Sequence, residues 1–310
     1  INVVGNMSMK GGFQATGNSS VLLNGSMTLF DNTGLGGAGS WIDFTTAGVI
    51  ANNSTGSVIM NGNLSSGISG NSVFPILHIN AIGGVGLNNH VSVSNLVLTQ
   101  GRLSTGAYRL VVNNYADSAI AAGTGNTNFT NGWVYGNLRC YFNSTNTNYH
   151  FPVGNSARGN LIKLINNNAN PLTGINYIDA SFGVKRGNDN NLSLIVGTKL
   201  YDSINTGGVW YVTPNSQPTS GNYTLQAYFN GFTGLKNKKF DLLRRADSSS
   251  IATDWQVPAN SNLDIADTRL VSNGYAKRTN ISSFSQFAIA QASALSLIVK
   301  AEYFFDIDPG

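Results

Sequence analysis

Over residues 1–132, apolar side chains come in short alternating runs cut by Gly and Asn. The runs lie at 21–30, 41–44, 58–60, 76–79, 91–98 and 110–112. In the fifth run Val91 and Val93, then Leu96 and Leu98, share one face, while Ser92 and Ser94 share the other. That is the period of a strand. Successive runs are roughly 10–20 residues apart, near the length of one coil of a β-solenoid. The pattern predicts parallel solenoid-like coils over 1–132, with an antiparallel sandwich as the rival arrangement of the same strands.

From residue 133 the pattern changes. Trp133, Tyr135, Tyr141, Phe142, Tyr149 and Phe151 open an aromatic-rich stretch whose runs, such as 222–229, alternate between Gly, Pro and Asn punctuation. Strands separated by turn signals predict an antiparallel β-sandwich over 133–292. The softest boundary is 121–128, which has no large apolar residue. A third piece, 293–310, holds the most β-prone run of the chain. Leu295, Leu297, Val299, Ala301, Tyr303 and Phe305 alternate along it. An apolar strand left exposed would template pairing. It must rejoin this chain's sheet, begin a further domain, or add to a sheet edge of another molecule. The expected fold class is thus all-β.

Composition sharpens this. Forty-two residues are Asn and 36 are Gly, against one Glu, Glu302, and one Cys, Cys140. Asn and Gly close tight turns and adopt positive φ. Glu, a good helix former, is nearly absent. The apolar fraction of 41% supports a core, so the chain is not a disordered tract. Only 10% of residues are charged, so solubility rests on Asn, Ser and Thr. Such neutral surfaces suit extracellular β-scaffolds and packing against copies of themselves. The net charge is +4, with basic residues scattered except Lys236, Lys238, Lys239, Arg244 and Arg245. This cluster reads as solvated strand ends, and the pattern argues against a nucleic-acid partner. No run of 18 apolar residues predicts membrane insertion. Cys140 alternates within a strand pattern and reads as a small core residue. The abrupt start at Ile1 is that expected of a mature or trimmed product.

Three stretches resemble secreted Bacteroidota cell-surface proteins of the type IX secretion cargo kind. Ile76-Leu-His-Ile-Asn80, continuing through 91–112, is similar to their Leu-x-Leu-x-x-Gly-x-Leu-x-x-Gly coils. Gly132-Trp-Val-Tyr-Gly-Asn-Leu-Arg139 and Tyr149-His-Phe-Pro-Val-Gly154 are similar to the element that opens their β-sandwich. Ile281-Ser-Ser-Phe-Ser-Gln-Phe-Ala-Ile289 resembles the sandwich's closing strand. The resemblance, over about 70–290, implies an exported adhesin or filament component at the cell surface. Residues 301–310 resemble a segment that leads into more chain, so the parent protein is expected to continue or to be cut there. Asp117-Ser-Ala119 and Asp202-Ser-Ile204 look like the O-glycosylation acceptor of such proteins, which makes Ser118 and Ser203 glycosylation candidates.

Catalytic chemistry finds little footing. A Ser or Cys nucleophile needs a His base and an orienting acid, yet His78, His90 and His150 have no such context. A glycosidase needs two carboxylates across a cleft. The 13 Asp are dispersed, mostly in turns such as Asp31-Asn-Thr-Gly34 where the side chain is expected to cap its own backbone. No catalytic residue is assigned. Asp306 and Asp308 share one face and could hold calcium, though a third ligand is missing; no other cofactor is expected. The leading expectation is a non-enzymatic extracellular adhesin or filament subunit that self-associates, with 293–305 offered as a donor strand. The alternative is a carbohydrate-binding module in which Trp210, Tyr211 and Tyr228 stack on sugar rings. A β-helix polysaccharide lyase or hydrolase comes last.

Overall fold

Alternation at period two forces each short run to bury one face, and the chain meets this demand by laying strands on strands. The computed structural model describes residues 2–14, 20–32, 39–44, 49–50, 54–70, 73–185, 192–196, 199–263 and 269–294. The donor-strand candidates Leu295 to Phe305, together with Asp306 and Asp308, lie outside them.

Six turns of chain stack first. The first holds β1 (Asn2–Val3), β2 (Met7–Lys10) and β3 (Gly12–Gln14); the second β4 (Ser20–Leu23), β5 (Ser26–Phe30) and β6 (Trp41–Phe44). The third holds β7 (Val49–Ile50), β8 (Ser57–Gly62) and β9 (Ser66–Gly70). β10 (Val73–Ala81) and β11 (Val85–Leu87) make the fourth, and the single long β12 (Val91–Val112) the fifth. β13 (Ile120–Ala122) and the first half of β14 (Gly132–Tyr141) make the sixth.

All pairings among β1 to β13 are parallel, turn upon turn, so the antiparallel rival fails there. Register lines up the apolar positions. Met7, Met27, Val58, Leu77, Leu96 and Ile120 form one column through all six turns. Met9, Leu29, Met60, Ile79, Leu98 and Ala122 form a second. Phe13, Phe44 and Phe74 add an aromatic column with centroids 6.0 and 6.2 Å apart. Each fully buried aliphatic side chain in such a column contributes about 1.5–3 kcal/mol.

The chain changes pairing mode on β14. On one edge β14 runs parallel to β12, with Leu138 opposite Leu110. On the other it runs antiparallel to β18 (Tyr177–Gly183), with Leu138 opposite Ala180. Before β18 come β15 (Asn148–Phe151), β16 (Val153–Gly154) and β17 (Ile162–Asn166); after it come β19 (Leu194–Val196) and β20 (Lys199–Pro214). The remaining strands are β21 (Tyr223–Tyr228), β22 (Phe240–Arg245), β23 (Asn262–Leu263), β24 (Tyr275–Ile281) and β25 (Ser285–Ala294).

From β14 onward β18, β20, β25 and β22 extend one antiparallel sheet. β15, β17, β21, β24 and β23 form a second. Polar groups cross between the two sheets. Trp210 donates its indole N–H to the Asn160 carbonyl at 2.8 Å, and buried Arg278 on β24 pairs with buried Asp241 on β22. Leu242 N–H also donates to Asp241 Oδ1, at 2.7 Å.

One hydrophobic core runs from Val3 to Ile289, through the coils and between the sheets. The boundary expected near 132 therefore shows no break in packing. A smaller cluster, including Tyr201, Leu243, Trp255 and Ala290, covers the outer face of β25. Among the described residues no helix is long and apolar enough to cross a membrane.

Candidate functional site

The outward polar positions of the stack are tied to one another. Asn80 Nδ2 donates to Asn61 Oδ1 at 2.8 Å, Asn114 Nδ2 to Asn95 Oδ1 at 2.9 Å and Asn88 Nδ2 to Ser69 Oγ at 2.9 Å, each over 19 residues. Asn89 Oδ1 accepts from Gly70 N–H, again 19 residues away. Nineteen residues is the offset between paired strands of the third, fourth and fifth turns, so these amides form ladders between neighbouring coils. Asn in this half therefore does more than make turns. Asp31 Oδ2 accepts from the backbone N–H of Asn63 (2.6 Å) and Leu64 (3.1 Å), so it caps the next coil; the turn it was expected to cap runs into residues 33–34, outside the described residues.

The three histidines are dispersed. His78 Nε2 lies 2.7 Å from Thr99 Oγ1, and burial lowers its pKa. His90 Nδ1 accepts from Arg109 N–H at 3.1 Å, with its ring edge-on to Tyr108. His150 packs against Phe129; burial first, then the Lys163 charge, lowers its pKa. Its buried Nδ1 has no hydrogen-bond partner. Cys140 is buried, and desolvation pushes its thiol pKa well up, away from nucleophilic use. The basic cluster splits. Lys236, Lys238 and Lys239 are exposed, whereas Arg245 is fully buried, which corrects its reading as a solvated strand end. Arg245 sits 4.4 Å over the Trp255 ring and donates to Gln286 Oε1 at 3.0 Å.

The three sugar-stacking candidates part company. Trp210 is 0% exposed, stacked on Phe232 at 5.5 Å, and so belongs to the core. That overturns its stacking role. The pairing of β20 with β25 shifts register between Ile204 and Val209, in the stretch that holds Gly207 and Gly208. Tyr211 is half-buried and borders a hollow of about 220 Å³ with Arg109, Asn137, Asp179, Ser181 and Thr213. There Asp179 takes a two-point hydrogen bond from Arg139, at 2.8 Å each, and Arg109 approaches to 3.6 Å. Sequence reasoning missed this triad, because its members lie on three strands far apart in the chain.

Tyr228 borders a different cleft, of about 300 Å³. It opens where the turn before β14 meets the end of β21 and the short 3-10 turn Val271–Asn273. Its walls are Tyr228, Phe229 and Phe232 with Asn128, Thr130, Asn230, Gly159, Val271 and Gly274. None of these carries a charge. The Tyr228 ring leans on Tyr275, centroids 5.3 Å apart, and burial raises its hydroxyl pKa, which keeps the proton on oxygen. Two successive non-glycine residues at the rim, Asn128 (φ 53°) and Phe129 (φ 54°), adopt the left-handed conformation. Such residues cost about 1–3 kcal/mol each and concentrate at functional sites. Behind the cleft, fully buried Asn160 donates Nδ2 to the Asn230 carbonyl at 2.9 Å, and among the described residues its Oδ1 has no hydrogen-bond partner.

A third hollow, about 320 Å³, is bordered by Lys10, Asp31, Asn61, Asn63 and Gln100 among others. Among the described residues Asp31 is the one carboxylate on its wall, whereas a hydrolytic pair needs two. Of the glycosylation candidates, Ser118 is exposed in a turn, next to Asp117, which holds Asn148 N–H at 2.9 Å. Ser203 lies half-buried within β20 and donates to Asp202 Oδ1 at 3.2 Å. Among the described residues no three His, Cys, Asp or Glu side chains gather to hold a metal ion. No protein family, curated protein or solved structure matches this chain.

Proposed function

We propose that the chain is a non-enzymatic structural module of a secreted cell-surface protein, an adhesin or a self-assembling filament subunit. The observation that carries this reading is the ladder of Asn and Ser side chains between coils. It uses the polar surface to stiffen the stack, with little charge to oppose contact between copies. The resemblance of residues 70–290 to type IX secretion cargo supports an extracellular or cell-surface location, with Ser118 as the better placed glycan acceptor. Self-association through the run 295–305 follows from its alternating apolar pattern.

The test is electron microscopy and light scattering of the purified chain beside a version lacking 295–310, which leaves β25 with its paired Ser293 and Ala294 intact. Concentration-dependent fibres or layers that vanish on truncation, with strand content by circular dichroism unchanged, are the expected outcome. Monomers at every concentration, or assembly indifferent to the truncation, would sink the donor-strand reading. Turnover of a polysaccharide by the intact chain would sink the non-enzymatic one. Glycan binding is the second reading, favoured by the neutral aromatic cleft at Tyr228.

A further inference from the structure

We infer that the cleft bordered by Tyr228, Phe232 and Asn230 binds a neutral saccharide. This deepens the second reading and stands apart from the scaffold proposal, since a cleft of this kind can be present on a module that does or does not assemble.

Four observations converge on the cleft. Its volume, about 300 Å³, lies at the small end of the ~300–1,000 Å³ range of ligand clefts, which suits one or two sugar rings rather than a long chain. Its wall combines aromatic rings, Tyr228, Phe229 and Phe232, with amide and hydroxyl groups, Asn128, Asn230 and Thr130. Sugars present a matching combination, an apolar C–H face and a rim of hydroxyls. Among the described residues no wall residue is acidic or basic, so these residues offer no ion pair to a uronate or sulfate. Arg158 is laid against Gly231, outside the wall, where a Cβ on Gly231 would meet its guanidinium.

The third observation is pre-organisation. The rim turn holds Asn128 and Phe129 at positive φ, and hydrogen bonds fix it from both sides: Asn126 Nδ2 to the Leu98 carbonyl at 2.7 Å and Asn131 N–H to Asn126 Oδ1 at 2.9 Å. Opposite, Gly274 at φ 75° caps the 3-10 turn and its carbonyl accepts from Phe229 N–H at 3.0 Å. The fourth is Asn160, whose Nδ2 holds the backbone of Asn230 while its buried Oδ1 has no hydrogen-bond partner among the described residues. Asn160 ties the cleft wall to Trp210 through its own carbonyl, so the core behind the wall is rigid. Tyr228 provides the stacking face, Asn230 and Asn128 the hydrogen bonds to hydroxyls, and Phe232 the floor.

The experiment titrates the whole chain by calorimetry with neutral gluco-, manno-, galacto- and xylo-oligosaccharides, and with an oligouronate as the anionic counterpart. Binding of at least one neutral sugar is expected, with Tyr228→Ala weakening it at least tenfold, Tyr228→Phe within about threefold of the parent, and Tyr211→Ala without effect. Hydrogen–deuterium exchange on the unmodified chain, with the bound sugar present, is expected to show protection at 228–232 and 271–274. That readout stands if Tyr228→Ala does not fold. The inference is overturned if no neutral sugar binds, if the oligouronate binds more tightly, or if protection appears at Arg109 and Tyr211 instead. Failure here leaves fibre formation untouched, so the two readings are separable.

Discussion

His78 lies on β10 and His150 on β15, and burial lowers the pKa of both. Their folded pKa values lie below the unfolded value of about 6.5. Between those values the unfolded chain binds more protons, so stability rises with pH. The contribution is fully present above about pH 6.5 and is lost as pH falls through the depressed folded values. Urea midpoints measured from pH 8 down to 5 are expected to drop, and the drop to flatten in a His78→Asn/His150→Phe double variant. An unchanged slope in that variant would remove these residues from the account. Asp241 works in the opposite sense, since burial raises its carboxyl pKa against the pull of Arg278, and its effect belongs to the acid end of the series. At this scale the sequence was partly readable. The alternation around Cys140 placed it in the core, where it is buried. The fates of Arg245 and Arg278 were not readable, because a buried arginine is decided by partners such as Gln286 and Asp241 that lie 41 and 37 residues away.

β12 shows what an element needs to serve two faces of the stack. It bends at Gly101, where φ is 82° and an added Cβ would lie 1.7 Å from the Ala81 carbonyl oxygen of the coil beneath. Gly106, on the same strand at φ 57°, has nothing within 4 Å of that position. Gly106→Ala therefore reports backbone strain alone, of about 1–3 kcal/mol. Gly101→Ala adds a clash between coils and is expected to cost clearly more in urea unfolding. Equal costs would mean that the coils are not in close register there. The alternating runs predicted β10 and β12 well, because an apolar column demands one inward face per coil. They did not reveal that 91–98 and 110–112 belong to one strand, since Gly101 and Gly106 read as turn punctuation. Nor did Asn80 or Asn114 announce a ladder, because an Asn in a turn and an Asn paired across coils look alike in one dimension.

Across the whole molecule, one core joins coils and sheets from Val3 to Ile289. Two independent modules would melt separately, whereas a shared core couples them. Scanning calorimetry is expected to show a single transition for the full chain, and residues 133–292 made alone are expected to lose cooperative unfolding. Two resolved transitions would show that the halves are independent. The change in pattern near residue 133 was visible from the aromatic residues. That the two patterns share a core was not, since Leu110, Leu138 and Ala180 pair only in three dimensions. Strand β14 also has a mechanical meaning. It is bonded in parallel to β12 and to β16 and antiparallel to β18, so no slack tether separates the halves. Tension entering through the stack reaches the sandwich as shear over rows of backbone hydrogen bonds that must fail together. A molecule joined in this way transmits a pull instead of stretching under it.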